Sequence, residues 1–428
     1  MNNELIDSGI EWIGKIPIGW SVINFKYVMN KKKEICKQFN GEDILSLTKK
    51  GVIVRDLENP EGKMPATFDG YQKVYKGNLL LCLFDIDVTP RCVGIINHDG
   101  LTSPAYSQFI VKENNSPRYY NYLLTYLDNK KVLLHLTKSL RNTLTESDFG
   151  QIKTIKPPVE LQVKIANFLD NKIAQIDDII KYTKQSIKEL EKYKQSLITE
   201  TVTNGLNKNI EMKHSGNELI GEIPSHWHLS YFKYEIYIRA RLGWKGLKAN
   251  EYVDRGKVFL STPNIKGSNI DFINVNYITQ ERYDESPEIK LSKGDILLAK
   301  DGSTLGTVNV VRELPVEATV NSSIAVLTPS NKLNSLYLYY LIRSDYIQNE
   351  ISLKKDGMGV PHLFQKDIKQ FKLLLPPIEE QEEIANYLDA KTLYIDKIKD
   401  KKESLINELE LYKKSLIYEY VTGKKEVM

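Results

Sequence analysis

The chain writes one passage twice. Residues 157–203, entered through KPPVELQVKIANFLD, align without a gap with residues 376–422, entered through LPPIEEQEEIANYLD, and 25 of the 47 positions are identical. A second repeat lies upstream, where SGIEWIGKIPIGWSVINFKY (8–27) matches SGNELIGEIPSHWHLSYFKY (215–234) with 11 identities in 20. The offsets are 219 and 207, so the segment between the landmarks is 12 residues longer in the second half. A repeat of this kind settles the plan before any local reading does. The plan is a collar, a variable insert and a long segment, followed by all three again.

The inserts, roughly 28–156 and 235–375, share faint landmarks only. KGNLLL (76–81) resembles KGDILL (293–298), and Asp148 and Asp367 stand equally far before the diprolines. Each insert is long enough for a globular domain of its own. Runs such as KVFLSTPNI (257–265), DILLAK (295–300), TVNVV (307–311) and SSIAVLTP (322–329) predict strands between turns. PRYYNYLLTYLDNKKVLLHL (117–136) and SLYLYYLIRSDYIQNEI (335–351) predict helices.

The repeated segments predict long helices. Leu169, Ile173, Ile176, Ile180, Ile187, Leu190 and Leu197 recur at spacings of three, four and seven, and Leu388, Ile395, Ile406, Leu409 and Leu416 do so in the second copy. Proline suits a first helical turn, and Gly205 and Gly423 suit helix ends. About 42 residues at ~1.5 Å each give a rod of roughly 60 Å. An apolar stripe must be buried, and the simplest partner for each rod is the other. The expected fold class is α+β, with two mixed α/β domains joined by two long helices packed as an antiparallel coiled coil in a pseudo-twofold tandem repeat. The expected boundaries are 1–156, 157–205, 206–375 and 376–428.

No arrangement that carries chemistry stands out. The chain has no GxxxxGK[ST] loop, no GxSxG elbow and no DPPY or NPPY signature. His226 and His228 flank Trp227, which reads as a loop beside a repeated core tryptophan, and no metal site is expected. Three cysteines, Cys36, Cys82 and Cys92, form no framework and point to a reducing compartment. With no signal-like start and no long uncharged apolar run, a cytoplasmic protein without membrane contact is expected.

Charge is distributed with a bias. Residues 21–150 hold 18 Lys+Arg against 14 Asp+Glu and residues 228–368 hold 18 against 16, whereas 378–419 hold 7 against 11. Basic inserts suit nucleic acid, and neutral or acidic rods suit protein. Stretches that mix cations with glycine, hydroxyls or aromatics are the candidate DNA contacts, since arginine grips guanine edges while lysine and hydroxyls hold phosphates. In the first insert they supply Thr48, Lys49, Lys50, Arg55, Arg91, Lys138, Arg141 and Asn142. In the second they supply Arg239, Arg241, Trp244, Lys245, Lys248, Lys300, Ser303, Thr304, Lys354, Lys355 and His362. Gln162, Asn167 and Asp170, with Gln381, Asn386 and Asp389, are candidates for docking a partner protein. A coiled-coil adaptor with no DNA role stays open on these residues alone, although it leaves two dissimilar basic heads unexplained.

The duplicated PP…Q…IAN(F/Y)LD helix starts and the GxIPxxW-like openings resemble the specificity subunit of type I restriction–modification systems, over essentially the whole chain. The first copy departs from the pattern with Leu161 where the second has Glu380, and Trp12 is replaced by Leu219. The resemblance implies two target-recognition domains, each reading half of a bipartite, asymmetric double-stranded DNA target, with the helices setting the unread gap. It implies a chain without catalysis or cofactor of its own. It also implies two methyltransferase subunits acting on adenine N6 and, in the full complex, two restriction subunits that translocate DNA. S-adenosylmethionine, ATP and magnesium would sit on those partners.

Overall fold

The diproline turns open helices of 46 and 44 residues, Val159–Asn204 and Ile378–Val421. Both stop where expected, at Gly205 and Gly423, whose φ angles of 72° and 70° lie in the left-handed region open to glycine. The structure is a computed structural model and describes residues 4–60, 64–87, 89, 91–137, 142–218, 220–240, 247, 249–353 and 361–427. No helix among these residues is long and apolar enough to cross a membrane.

The chain divides into two compact units that cut across the sequence repeat. One comprises residues 1–183 with 403–428, and the other residues 184–402. Each unit therefore takes one part of each long helix. In the first unit these parts run antiparallel, with Lys413 bonded to Asp177 and the rings of Phe168 and Tyr420 4.4 Å apart. In the second, Lys194 bonds Asp396 at 2.6 Å and Lys399 bonds Glu191 at 2.6 Å, again antiparallel. Lys194 and Lys413 are equivalent positions of the repeat, as are Asp396 and Asp177, so one pair is written twice. Burial holds the Lys194 amine below its ordinary range, and its bond to Asp396 works against that.

The collars close the inserts in both units. Ser21–Asn24 pairs antiparallel with Lys153–Lys156, and His228–Tyr231 with Lys372–Leu375, so each insert leaves and returns through one two-stranded ladder. The repeated tryptophans anchor the units. Trp20 and Trp227 are buried, Trp20 in the same core as Val421 and Ile417 and Trp227 in the same core as Ile198 and Val202. Removing an aromatic of this size from water contributes about 4–6 kcal/mol as an upper figure.

The inserts share more than their sequences show. Each holds a four-stranded antiparallel sheet with the same strand order. In the first unit the order is Met29–Lys32, Ser107–Val111, Leu79–Leu81, Val93–Ile95; in the second it is Ile236–Arg239, Ile324–Pro329, Ile296–Ala299, Val308–Val310. The faint KGNLLL/KGDILL landmark is the equivalent inner strand of each sheet. Leu79–Leu81 and Ile296–Ala299 are buried throughout, which is why that run kept its apolar character.

Three predicted elements differ in detail. The run 257–265 is a strand over Lys257–Leu260 and then a 3-10 turn, because Ser261 and Pro263 redirect the chain. The helix predicted over 335–351 is two helices, Ser335–Arg343 and Asp345–Leu353, broken at Ser344, whose backbone is extended. The helix predicted over 117–136 breaks after Asn129, where Lys131 takes a φ of 55° before a short helix, Val132–His135.

Candidate nucleic-acid interface

The same corner of each sheet carries a loop tied to a distant segment. In the first unit the loop follows Leu79–Leu81. The Leu144 N–H donates to the Leu83 carbonyl at 2.8 Å and the Ile86 N–H to the Asn142 carbonyl at 3.3 Å. Asp85 and Asn142 both turn through positive φ, and the Thr89 hydroxyl donates to the Asp85 carbonyl at 2.8 Å. The described residues around Arg91 and Asn142, far apart in sequence, are thus brought together. Arg91 stands half-buried at the end of this loop, its buried Nε without a hydrogen-bond partner. The Asn142 amide oxygen accepts from the Thr137 hydroxyl at 3.2 Å.

The third stretch of this unit is a hairpin, Leu45–Thr48 with Gly51–Val54. It packs on Val93–Ile95, where the space beside Gly94 is filled by Leu47 and Val52. Lys49 and Lys50 are exposed at its tip, and the Thr48 hydroxyl closes the turn onto the Gly51 carbonyl at 3.0 Å. Arg55 leaves the hairpin half-buried.

The second unit repeats the construction with other residues. The Leu363 N–H donates to the Lys300 carbonyl at 2.8 Å and the Gly302 N–H to the Pro361 carbonyl at 2.9 Å. Gly302 takes a φ of 66°, which this tight connection requires. Asp301 bonds the His362 ring, and the Lys300 amine lies 3.5 Å from the other Asp301 oxygen. The Thr304 hydroxyl donates to the Asp301 carbonyl at 3.3 Å, while Ser303 faces solvent. Lys300, Ser303, Thr304 and His362 therefore form one group. Asp301, at its centre, was not singled out in the sequence; only the DG turn beside it was a signal. A carboxylate there can accept from the exocyclic amine of cytosine, and the amine and hydroxyl beside it can donate to acceptors or phosphates.

Arg239 requires a correction. Its guanidinium donates to Asp295 at 2.7 Å, to the Thr328 hydroxyl at 2.7 Å and to the Lys290 carbonyl at 2.9 Å, with its side chain 12% exposed. It sits at the end of the edge strand Ile236–Arg239, and it neutralises a buried carboxylate inside the fold instead of facing a ligand. Lys138, Arg141, Arg241, Trp244, Lys245, Lys248, Lys354 and Lys355 lie outside the described residues.

Five of the six docking candidates make contacts that clamp an insert to its long helix within each unit. Gln162 is fully buried. It accepts from the Ser116 N–H at 2.9 Å and donates to the Pro157 carbonyl at 2.8 Å. Gln381, also buried, accepts from the Asn334 N–H at 2.8 Å and donates to the carbonyls of Pro376, 2.8 Å, and Lys332, 3.0 Å. Ser116 and Asn334 are the N-caps of the insert helices Pro117–Asn129 and Ser335–Arg343. Asp170 accepts from Tyr122 at 2.7 Å and Arg118 at 2.5 Å; Asp389 accepts from Tyr340 at 2.9 Å and Arg312 at 2.5 Å. Tyr122 and Tyr340 each lie six residues past their cap. Burial raises both phenols above their ordinary range, and the carboxylates add to the rise. Arg118 also donates to Asn167 at 2.6 Å, and Asn386 is exposed. The buried glutamines thus fix each insert to its long helix from inside, and the part-exposed aspartates fix it from the surface.

The departure at Leu161 has a matching change across the contact. Glu380 accepts from the Trp227 indole at 3.1 Å and bonds His226 at 2.8 Å. The first unit has Gly19 in place of the histidine and Leu161 in place of the glutamate, and Leu161 packs into the apolar core.

Comparison with known proteins agrees with this architecture. A family model described as the type I restriction modification DNA specificity domain matches residues 249–410. The type I restriction enzyme MjaVIII specificity subunit of Methanocaldococcus jannaschii is 26% identical over 283 residues, 65% of this chain. The match spans 63% of that relative's length, just under two thirds. Among solved structures, a chain from work on complex assembly and conformational transition of the type I R-M system superposes with a TM-score of 0.73 at 15% identity, covering 95% of this chain and 98% of that one. The HsdS subunit from Thermoanaerobacter tengcongensis superposes with a TM-score of 0.56 at 16% identity, over 96% and 98% of the two chains. At these identities the superpositions establish a shared fold.

Proposed function

We infer that the chain is the DNA-specificity subunit of a type I restriction–modification system, and we propose that each unit reads one half of a bipartite, asymmetric target. The observation that carries this is a shared scaffold with different tips. Both units tie a loop at the same corner of the same sheet to the segment before a short helix, yet one presents Thr89, Arg91 and Asn142 and the other Lys300, Asp301, Ser303, Thr304 and His362. A shared scaffold with unlike tips suits two different short sequences. Base edges in the major groove are told apart by such donors and acceptors, while phosphate contacts set register.

In this reading the chain performs no chemistry. It brings two methyltransferase subunits, and in the full complex two restriction subunits, to its target. The target adenine would turn out of the duplex into a pocket of the methyltransferase. The internal clamps at Gln162 and Gln381 supply rigidity, so that an insert cannot shift on the helix that sets the gap between halves. The test is to co-express the chain with its neighbouring methyltransferase subunit and map adenine methylation across a host genome. A split motif, two short specified halves around a fixed unspecified gap, is expected. A stable purified complex that methylates without any motif would refute the reading.

A further inference from the structure

We propose that each unit carries a second, sequence-independent grip on DNA, a Lys–Tyr–Gln–Lys patch written identically in both halves. It is Lys26, Tyr27, Gln151 and Lys153 in the first unit and Lys233, Tyr234, Gln370 and Lys372 in the second. This proposal rests on the DNA-reading assignment above and adds the phosphate backbone to the bases.

The internal repeat supplies the argument. Most identities between the halves have a reason inside the fold: Ile16 and Ile223, Trp20 and Trp227, and Phe25 and Phe232 are buried core. The patch is not buried core, although Gln151 also accepts from the Asn24 amide at 3.2 Å. Its side chains are exposed, Lys372 alone being half-buried, and the tyrosines are 61% and 67% exposed. Surface positions of this sort tolerate change within about 0.5 kcal/mol; Lys26 and Tyr27, like Lys233 and Tyr234, close the repeated collars, whereas Gln151, Lys153, Gln370 and Lys372 recur inside inserts that have diverged almost completely.

In each unit the fold brings the end of the collar beside the end of the insert, and so the four residues into one neighbourhood. Lys153 lies opposite Asn24 in the closing ladder and Lys372 opposite Tyr231. The Phe25 N–H donates to the Ile152 carbonyl at 3.1 Å, and the Phe232 N–H to the Phe371 carbonyl at 3.0 Å. The Lys26 amine donates to Gln151 at 3.3 Å and lies 5.2 Å from the Tyr27 ring centre; the Lys233 amine lies 4.7 Å from that of Tyr234.

Charge selects the ligand. Among the described residues none of the four lysines pairs with a carboxylate. Nearby acids are engaged elsewhere: Asp148 with Thr145, Asp367 with the Phe364 N–H, and Glu235 with Ser230 and Ser330. The ligand is therefore an anion that is the same in both halves, although the reading loops differ. A DNA backbone has that property, since its phosphates do not change with the bases. Position agrees as well. The helix Glu146–Gln151 leads from the reading segment to the patch and is about 9 Å long, roughly three base pairs of rise.

The test uses the full chain in complex with its methyltransferase, and two duplexes, one carrying the methylated motif and one unrelated. Affinity is measured against salt for the variant Lys26→Ala, Lys153→Ala, Lys233→Ala, Lys372→Ala. Each phosphate contact contributes about 0.9 to the slope of log K against log salt. The slope should fall by about 2–4 on both duplexes, with the methylated motif unchanged. The corresponding four Lys→Arg changes should restore it. An unchanged slope overturns the proposal, and so does an unrestored one. Loss of methyltransferase binding with normal DNA slopes would assign the patch to an acidic protein face instead. A wild-type complex with no motif preference but the expected drop in slope would refute the base-reading assignment and leave the backbone grip standing.

Discussion

Replacing Gln162 or Gln381 with leucine separates an internal clamp from a docking surface. Leucine has a similar volume, so the main cost is polar. Gln162→Leu leaves the Ser116 N–H and the Pro157 carbonyl without their buried partner; Gln381→Leu leaves the Asn334 N–H and the carbonyls of Pro376 and Lys332. At about 1–3 kcal/mol per orphaned group, the costs are about 2–6 and about 3–9 kcal/mol, before roughly 1 kcal/mol returned by the more apolar side chain. Even the lower figures are a large share of an ordinary domain's stability of about 5–15 kcal/mol. The assay is urea unfolding of the isolated full chain in two backgrounds that keep a single tryptophan, Trp20 to report the first unit and Trp227 the second, the other three being replaced by phenylalanine. Each variant should move its own unit's transition to lower urea with the slope unchanged, and Gln381→Leu should move further. Two variants that unfold like the wild type in isolation but bind the methyltransferase more weakly would show a docking surface instead of a clamp.

Other consequences can be checked on the same material. At Gly423 an added Cβ would lie 2.5 Å from Pro17 Cδ and 2.9 Å from Trp20, whereas at Gly205 it would meet the Glu380 side chain at 3.0 Å and Trp227 at 3.3 Å. Gly205→Ala should therefore cost about 1–2 kcal/mol of left-handed strain and Gly423→Ala a further 1–3 from overpacking; equal urea midpoints would show that the Pro17 contact yields. Burial raises Tyr119, Tyr120, Tyr337, Tyr340 and Tyr346 above the ordinary phenol range and pushes Tyr126 up to about 12. The sign follows from linkage: the neutral phenols contribute stability that is whole below about pH 10 and is lost as pH climbs through the folded values. Phenolate absorbance from these rings should appear together with loss of helix by circular dichroism, and complete ionisation of a still folded chain would contradict their burial. Asp301→Asn should alter recognition at one half of the split motif and leave the other half intact in methylation mapping; equal change at both halves would remove Asp301 from base reading.

Most of the frame was legible because repetition is visible without structure. The helices, their glycine stops and the tryptophan anchors follow from two copies agreeing on periodic or punctuating residues. The two units, in contrast, do not coincide with the two halves of the sequence. Lys413 finds Asp177 and Asp396 finds Lys194 only because the helices pair antiparallel, and no local pattern records which part of a helix belongs to which core. The site was half legible for a similar reason. Cations beside glycines marked loops that the fold ties to distant segments, yet Arg239 wears the same composition and is spent on buried Asp295, 56 residues away. Asp301 escaped notice because its meaning depends on His362, which lies across the sheet corner and not along the chain. The glutamines looked like surface features because they recur, and recurrence cannot tell an outward contact from an inward one.

The first unit is interrupted in sequence, and this sets a timetable. Its core needs Leu416, Ile417 and Val421, and the Tyr119 hydroxyl finds the Val421 carbonyl 302 residues downstream. The second unit is continuous, from 184 to 402, and can close as soon as it has left the ribosome. Some 220 residues separate the two pieces of the first unit, about 10–45 s of synthesis at ordinary rates. The domain made first is thus finished last, its helix waiting for the final turns of the chain. A product cut short by even a few turns would hold one complete unit and one open core.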